Sequence, residues 1–437
     1  MSDADLAQRV YRLFGTEPLK PEQEDLYVDL EQARGDMHVA DRLERRIRFA
    51  EGSPTCQVLA GHKGSGKSTE LLRLKKRLED ESPQLFVVYV RAGDDIDYND
   101  VDFPDVLIAI VRQTAAQLQQ HAGITLAPGY FKKRWERLKE IGAAEINFES
   151  FGLEVGMLNL AGQIKDSPNA RAEIRKALEP DTNNWISAAN DVIGQAVGEL
   201  AKQGKQGLVI LVDELDKIVV REHVTGCKTD EQLFVNRAAQ LTSFHCHVVY
   251  TMPLSLAYSH QERAIRNLYG GDVPVVPMTK IAEPPPSTKR YLPGFKRFRE
   301  MIAKRLKKAD AKKSEVFLDD GIRDELIALS GGQPTELMTL VREAIIAHEL
   351  PIDGKSLDRA RIEGQREYAR QLLKEHWPII EEVRRNADFV RTKDNDATFR
   401  ELLEGRAILQ YLNGGVWYGL NPVVATLEAP PTDESTP

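Results

Sequence analysis

The stretch Gly61-His62-Lys63-Gly64-Ser65-Gly66-Lys67-Ser68-Thr69 is the feature that most limits what this chain can fold into. An apolar run from Cys56 to Ala60 precedes it, and a helical pattern with Leu71, Leu74 and Leu78 on one face follows it. Glycines at 61, 64 and 66 allow positive φ and let main-chain N–H groups converge on an anion. The start of a helix adds the positive end of its dipole. The spacing Gly-x-x-x-x-Gly-Lys-Ser is complete, so all of Gly61 to Thr69 is expected to cradle a nucleoside triphosphate. Lys67 is then a point charge on the outer phosphates, and the Ser68 hydroxyl is a ligand of Mg2+.

A second acidic signature lies downstream. The apolar run Gly207 to Val212 ends in Asp213-Glu214. After a complete phosphate loop, a strand ending this way is expected to place Asp213 on the metal, directly or through water. Glu214 is then positioned to take a proton from an attacking water. A further strand, Cys246 to Pro253, carries Thr251 near its end, where a hydroxyl is suited to sensing the terminal phosphate or orienting water. His245, Cys246 and His247 suggest a metal site at first sight. Neighbouring strand residues point to opposite faces, and no second ligand pair lies nearby, so zinc is not expected. With Leu85 to Val90 and Asp272 to Pro277, five such runs alternate with helical patterns. This predicts an α/β fold around a parallel five-stranded sheet covered on both faces.

A formal net charge of -8 over 437 residues argues against a general nucleic-acid binder, while leaving room for a local basic surface. Three cysteines, Cys56, Cys227 and Cys246, fit a reducing compartment better than a disulfide framework. The first residues lack the pattern of a signal peptide, and no apolar run reaches bilayer length, so a cytoplasmic protein without membrane contact is expected.

In chain order, residues 1–35 read as a helical N-terminal extension and 36–283 as the nucleotide core. In the extension, Tyr27 or Val28 either covers an adenine or packs the linker. A helix is expected over Met37 to Glu51. The acid-rich stretch Asp94 to Asp105 lacks the glycine and closing glutamate of a calcium loop, so it is read as a solvated loop before a helix over Val106 to His121. Residues 128–180 form an insertion, with a charged helix at Phe131 to Ile141 and a short hairpin or ordered excursion at Ile146 to Met157. A helix over Trp185 to Lys202 follows it. After the linker Pro284-Pro285-Pro286, residues 284–350 read as a helical lid. It opens with the basic segment Lys289 to Lys313, in which Arg305 is the candidate for a charge that reaches nucleotide. The alternative for that segment is a solvated helix face with its apolar side packed. Residues 351–427 end in Ala407 to Pro422, read as a helix, a Gly414-Gly415 turn and an aromatic strand. Residues 428–437 read as a disordered tail.

Gly61 to Thr69, Leu211-Val212-Asp213-Glu214, Thr251 and Gly331-Gly332-Gln333-Pro334 together resemble the AAA+ and STAND branch of P-loop ATPases. The bacterial STAND-like and origin-recognition-like members are the most similar. The resemblance implies a three-layer P-loop NTPase core, a helical lid and a C-terminal winged-helix-like domain. It also implies ATP and Mg2+ as ligands, slow hydrolysis, and assembly with itself or a partner protein. Thr335 stands where many motor-type relatives have an arginine, which favours a switch over a motor. In bacteria such switches often serve signalling or antiphage defence. The rival expectation is a DNA-binding ATPase of origin-recognition or loader type, gripping duplex with the C-terminal module and residues 289–313.

Overall fold

The computed structural model describes residues 3–126, 165–287 and 289–429. The expected helix at 131–141, the hairpin at 146–157 and most of the C-terminal tail lie outside them. The chain divides into two compact units. One is Val39–Ala60 with Glu70–Val275; the other is Met1–His38, Gly61–Thr69 and Val276–Pro437.

The first unit is built on a five-stranded sheet. Its strands are β1 (Cys56–Gly61), β2 (Phe86–Arg91), β3 (Leu208–Asp213), β4 (His247–Thr251) and β5 (Val275–Val276), in the order β2-β3-β4-β1-β5. The pairs β2–β3, β3–β4 and β4–β1 are parallel, with Val212 opposite Tyr250 and Leu59 opposite Thr251. β2 and β3 carry unbroken apolar runs because both faces are covered. Val58, Ala60, Val88, Ile210 and Val248 point into a core shared with the helices Phe103–Ala122 and Thr182–Lys202. The alternate residues Leu59, Val87, Val209, Leu211 and Val249 are fully buried as well. On that side Gln57 donates to the Leu43 carbonyl of the helix Val39–Phe49. The α/β architecture with a parallel five-stranded sheet is as expected.

The acid-rich stretch is not a solvated loop. Asp95, Asp102 and Asp105 are buried. Arg112 takes Asp95, Arg237 takes Asp102, and Arg171 and Arg175 take Asp97, Asp100 and Asp105. Asp102 also caps the helix Phe103–Ala122, accepting from the Phe103 amide while its own amide donates to Asp105. The partner arginines at 171 and 175 lie far along the chain, so local composition gave no sign of them.

In the second unit, Val10, Phe14, Val28 and Leu30 of the N-terminal segment share one core with Phe295, Phe298, Ile302, Leu326, Leu337 and Val341. The basic helix runs over Leu292–Lys308 with its apolar side packed in that core. Arg305 does not stand on its basic face. It is buried and donates to the Met301 carbonyl one turn back, and desolvation lowers its pKa to about 10. Further along, the helix Asp396–Glu404 is followed by a hairpin of β6 (Ile408–Leu412) and β7 (Val416–Leu420). The expected helix at Ala407 to Leu412 is therefore a strand. A short apolar run fits either element by pattern, and here Arg406 at φ +59° breaks the chain away from the preceding helix. Tyr411 then stacks on Trp417, with ring centroids 4.3 Å apart. Among the described residues no helix is long and apolar enough to cross a membrane.

Candidate functional site

The loop after β1 adopts the backbone its glycines permit. Gly61, Gly64 and Gly66 have φ of +153°, +80° and +101°, and the helix Lys67–Asp80 begins immediately after. Lys67 is buried, and its ammonium folds back onto the Gly61 and His62 carbonyls at 2.6 and 2.8 Å. Ser65 Oγ is buried and has no hydrogen-bond partner. Ser68 is half-buried, and Thr69 Oγ1 accepts from the Leu19 amide at 3.2 Å.

Three segments distant in sequence hold this loop, two of them through its main chain. Arg34, itself buried, donates to the Ser65 carbonyl and to Thr279 Oγ1. Gln333 donates to the Lys63 carbonyl at 2.6 Å, and a Cβ on Gly64 would lie 2.3 Å from its Nε2. The Gly331-Gly332-Gln333-Pro334 turn thus meets the loop directly. On the hairpin, the Gln410 amide donates to Nε2 of His62 at 2.8 Å, while Lys63 lies 3.7 Å from Glu404. Burial, then the charges of Lys67 and Arg406, push the His62 pKa down to about 3. Tyr27 is half-buried at the end of the turn Pro21–Leu26, and its carbonyl accepts from Lys304. From the N-terminal segment it is Leu19 and Arg34 that meet the loop. A single arginine in a charged segment carries no sequence signal for that role.

The acidic end of β3 is organised by side chains. Asp213 is buried, accepts the Tyr89 hydroxyl, and receives the Glu214 amide at 2.7 Å. Glu214 accepts from the Tyr98 hydroxyl at 2.9 Å, the Gly93 amide at 3.2 Å and the Lys217 ammonium at 2.8 Å. Burial pushes its carboxyl up, but the Lys217 and Tyr98 hydrogen bonds and the charges of Lys217 and Arg91 outweigh that, leaving the pKa below its ordinary value. Thr251 Oγ1 is fully buried and accepts from the Leu215 amide at 3.1 Å, fixing the residue after Glu214. β1 and β3 run parallel in one sheet, so the chain leaves both at the same edge.

The donor set suits a triphosphate and magnesium. A loop of positive-φ glycines, an orphaned hydroxyl at Ser65 and an ammonium resting on loop carbonyls match an anion's needs. Among the described residues no group of three His, Cys, Asp or Glu forms a metal cluster. The Ser68 hydroxyl and the Asp213 carboxylate are each of the oxygen-donor type that magnesium takes beside phosphates.

No protein-family model matches the chain, and no curated protein matches it. Several solved structures are similar. A Walker-type ATPase of Pyrococcus abyssi is 14% identical over 95% of this chain and 99% of its own, with a TM-score of 0.44. The Aeropyrum pernix ORC1 protein, solved in complex with DNA, is 16% identical over 88% and 91%, with a TM-score of 0.37. A chain of Drosophila ORC bound to DNA is 15% identical over 95% and 89%, with a TM-score of 0.36.

Proposed function

We propose that this chain is an ATPase that binds ATP with Mg2+ and uses slow hydrolysis to reset a molecular switch. One observation carries the reading: the loop Gly61–Ser68 has three glycines at positive φ and a buried Lys67 at the mouth of a helix. In this reading Gly61, His62, Lys63, Gly64, Ser65 and Gly66 offer main-chain donors to the phosphates, with Thr69 in the first helical turn. Lys67 neutralises charge on the outer phosphates. Ser68 and Asp213 would hold magnesium, which supplies further charge neutralisation there. Glu214 takes the proton of the attacking water, and Thr251 keeps the main chain beyond Glu214 in place.

The switch part of the reading is supported by the contacts of Gln333 and Gln410 on the loop. A ligand that alters the loop changes what the Gly331–Pro334 turn and the hairpin rest on, and so favours one state over another. The expected output is assembly with further copies or a partner protein, in the signalling or antiphage setting that the resemblance to STAND proteins implies. In the rival DNA reading the basic face is narrower than the sequence suggests: Arg297 pairs with Glu300, Arg299 with Asp324 and Lys308 with Asp25, and Arg305 is turned inward, while Lys296 and Lys307 stay exposed.

Lys67→Ala is expected to abolish steady-state ATP hydrolysis and any ATP-dependent change in oligomeric state, read by light scattering. Hydrolysis at the parent rate would remove the loop from the reaction. Duplex binding that falls steeply with salt would favour the rival reading.

A further inference from the structure

A carboxylate acting as a base needs a lone pair free to face the water whose proton it takes. In this structure the lone pairs of Glu214 are taken. Tyr98 and the Gly93 amide occupy Oε2, while Lys217 occupies Oε1 and Arg91 approaches it at 3.5 Å. An ionised carboxylate offers about four acceptor sites, and four donors meet this one. The side chain is 9% exposed. Its main chain sits at φ +72°, ψ 3°, a left-handed conformation that a residue with a Cβ keeps only where its surroundings enforce it. This is a stowed carboxylate.

The segment that stows it is itself pinned. Arg91 ends β2, Gly93 and Tyr98 belong to the stretch that follows it, and Asp97 and Asp100 bracket Tyr98. Arg171, on the helix Pro168–Leu178, forks across that bracket, with Nη2 3.0 Å from Asp97 and Nε 2.8 Å from Asp100. Arg175, one turn on, donates to Asp100 at 2.7 Å and to its carbonyl at 2.7 Å. Lys165, just before the helix, donates to the Gly93 carbonyl at 2.6 Å. Arg171 is 3% exposed, so its charge is directed at these carboxylates and not at solvent. The helix and the lysine just before it therefore grip both ends of the stretch that supplies Glu214 with three of its four donors.

We propose that the helix Pro168–Leu178 restrains hydrolysis by fixing Tyr98 on Glu214. Tyr98 and Arg171 are positioning residues in this arrangement: with the Arg171 fork closed, Tyr98 keeps the carboxylate stowed, and opening the fork frees it to face water. The inference rests on Glu214 being the base of the proposed reaction. It gives the end of the 128–180 insertion a role in the timing of hydrolysis.

The experiment is steady-state ATP hydrolysis by the full chain. Tyr98→Phe keeps the ring and removes one donor. It is expected to raise kcat about ten- to hundredfold, the worth of one hydrogen bond to a charged group, with KM unchanged within about twofold. Arg171→Gln is expected to raise kcat by less, and Arg171→Lys to return part of the restraint. The double variant is expected to be no faster than Tyr98→Phe alone, since Arg171 acts through Tyr98. A merely structural role for Tyr98 predicts lower kcat in the Phe variant, and that result, or an unchanged kcat, overturns the proposal. A double variant faster than either single one overturns the route through Tyr98. Glu214→Gln is run alongside. If it turns over at the parent rate, the base assignment fails; if it is inactive while Tyr98→Phe is no faster, the restraint alone fails.

Discussion

The loop after β1 and the acid pair after β3 are held by opposite means. The loop is gripped by its main chain: the carbonyls of Lys63 and Ser65 accept from Gln333 and Arg34, brought from distant parts of the sequence. The acid pair is gripped by its side chains: Tyr89 on Asp213, and Tyr98 and Lys217 on Glu214. A backbone device tolerates little, because its geometry is its function. A side-chain device can be tuned one donor at a time. Changes in the loop should therefore register in binding, and changes at the acid pair in turnover.

The sharpest contrast is between Gly64→Ala and Glu214→Gln. Gly64 sits at φ +80°, where a Cβ costs about 1–2 kcal/mol. That Cβ would also lie 2.3 Å from Gln333 Nε2 and 3.0 Å from Thr335 Cβ. Gly64→Ala is expected to lose ATP binding by about 100-fold or more in titration calorimetry, since several loop donors are displaced together. Glu214→Gln should bind ATP within about threefold of the parent while turnover falls about 10²- to 10³-fold. Loss of binding in Glu214→Gln would dissolve the distinction between the two regions.

Gln333→Ala is a gentler probe of the loop. It removes the donor to the Lys63 carbonyl and leaves the glycines intact. A net hydrogen bond of about 1 kcal/mol predicts roughly fivefold weaker ATP binding with kcat nearly unchanged. A change confined to kcat would place Gln333 with the acid pair instead.

What the sequence revealed follows the same division. The phosphate loop was legible because its residues are contiguous and its glycines are backbone requirements. The strands were legible because burial on both faces leaves unbroken apolar runs at Val87 and Val88 or Leu208 to Val212. The Arg171 and Arg175 clamp was not, since ion pairs across some seventy residues (71 from Asp100 to Arg171) leave no local pattern. Likewise Ile408 to Leu412 is too short an apolar run for periodicity to separate strand from helix. Tyr411 becomes a strand residue through its stacking on Trp417, and that contact depends on the turn between them.

The smallest expected effect tests whether the hairpin's grip on the loop is chemical or only steric. The Gln410 amide can only donate, so Nε2 of His62 is unprotonated and the imidazole is neutral in the folded chain. Protonation would break that bond and bury a charge beside Lys67, which agrees with a folded pKa pushed down to about 3. In the unfolded chain the group titrates near the ordinary histidine value of about 6.5. Because the folded pKa is depressed, the unfolded state binds the extra proton first. The His62 contribution is therefore full above about pH 6.5 and declines as pH falls toward the folded value. Between pH 7 and pH 6 this amounts to somewhat under about 1 kcal/mol. His62→Gln supplies an acceptor that does not titrate. In denaturant unfolding at the two pH values, the parent should lose more than His62→Gln by an amount of that order. Equal losses would mean that the imidazole keeps its ordinary pKa in the folded chain, and the hairpin would then rest on the loop through shape alone.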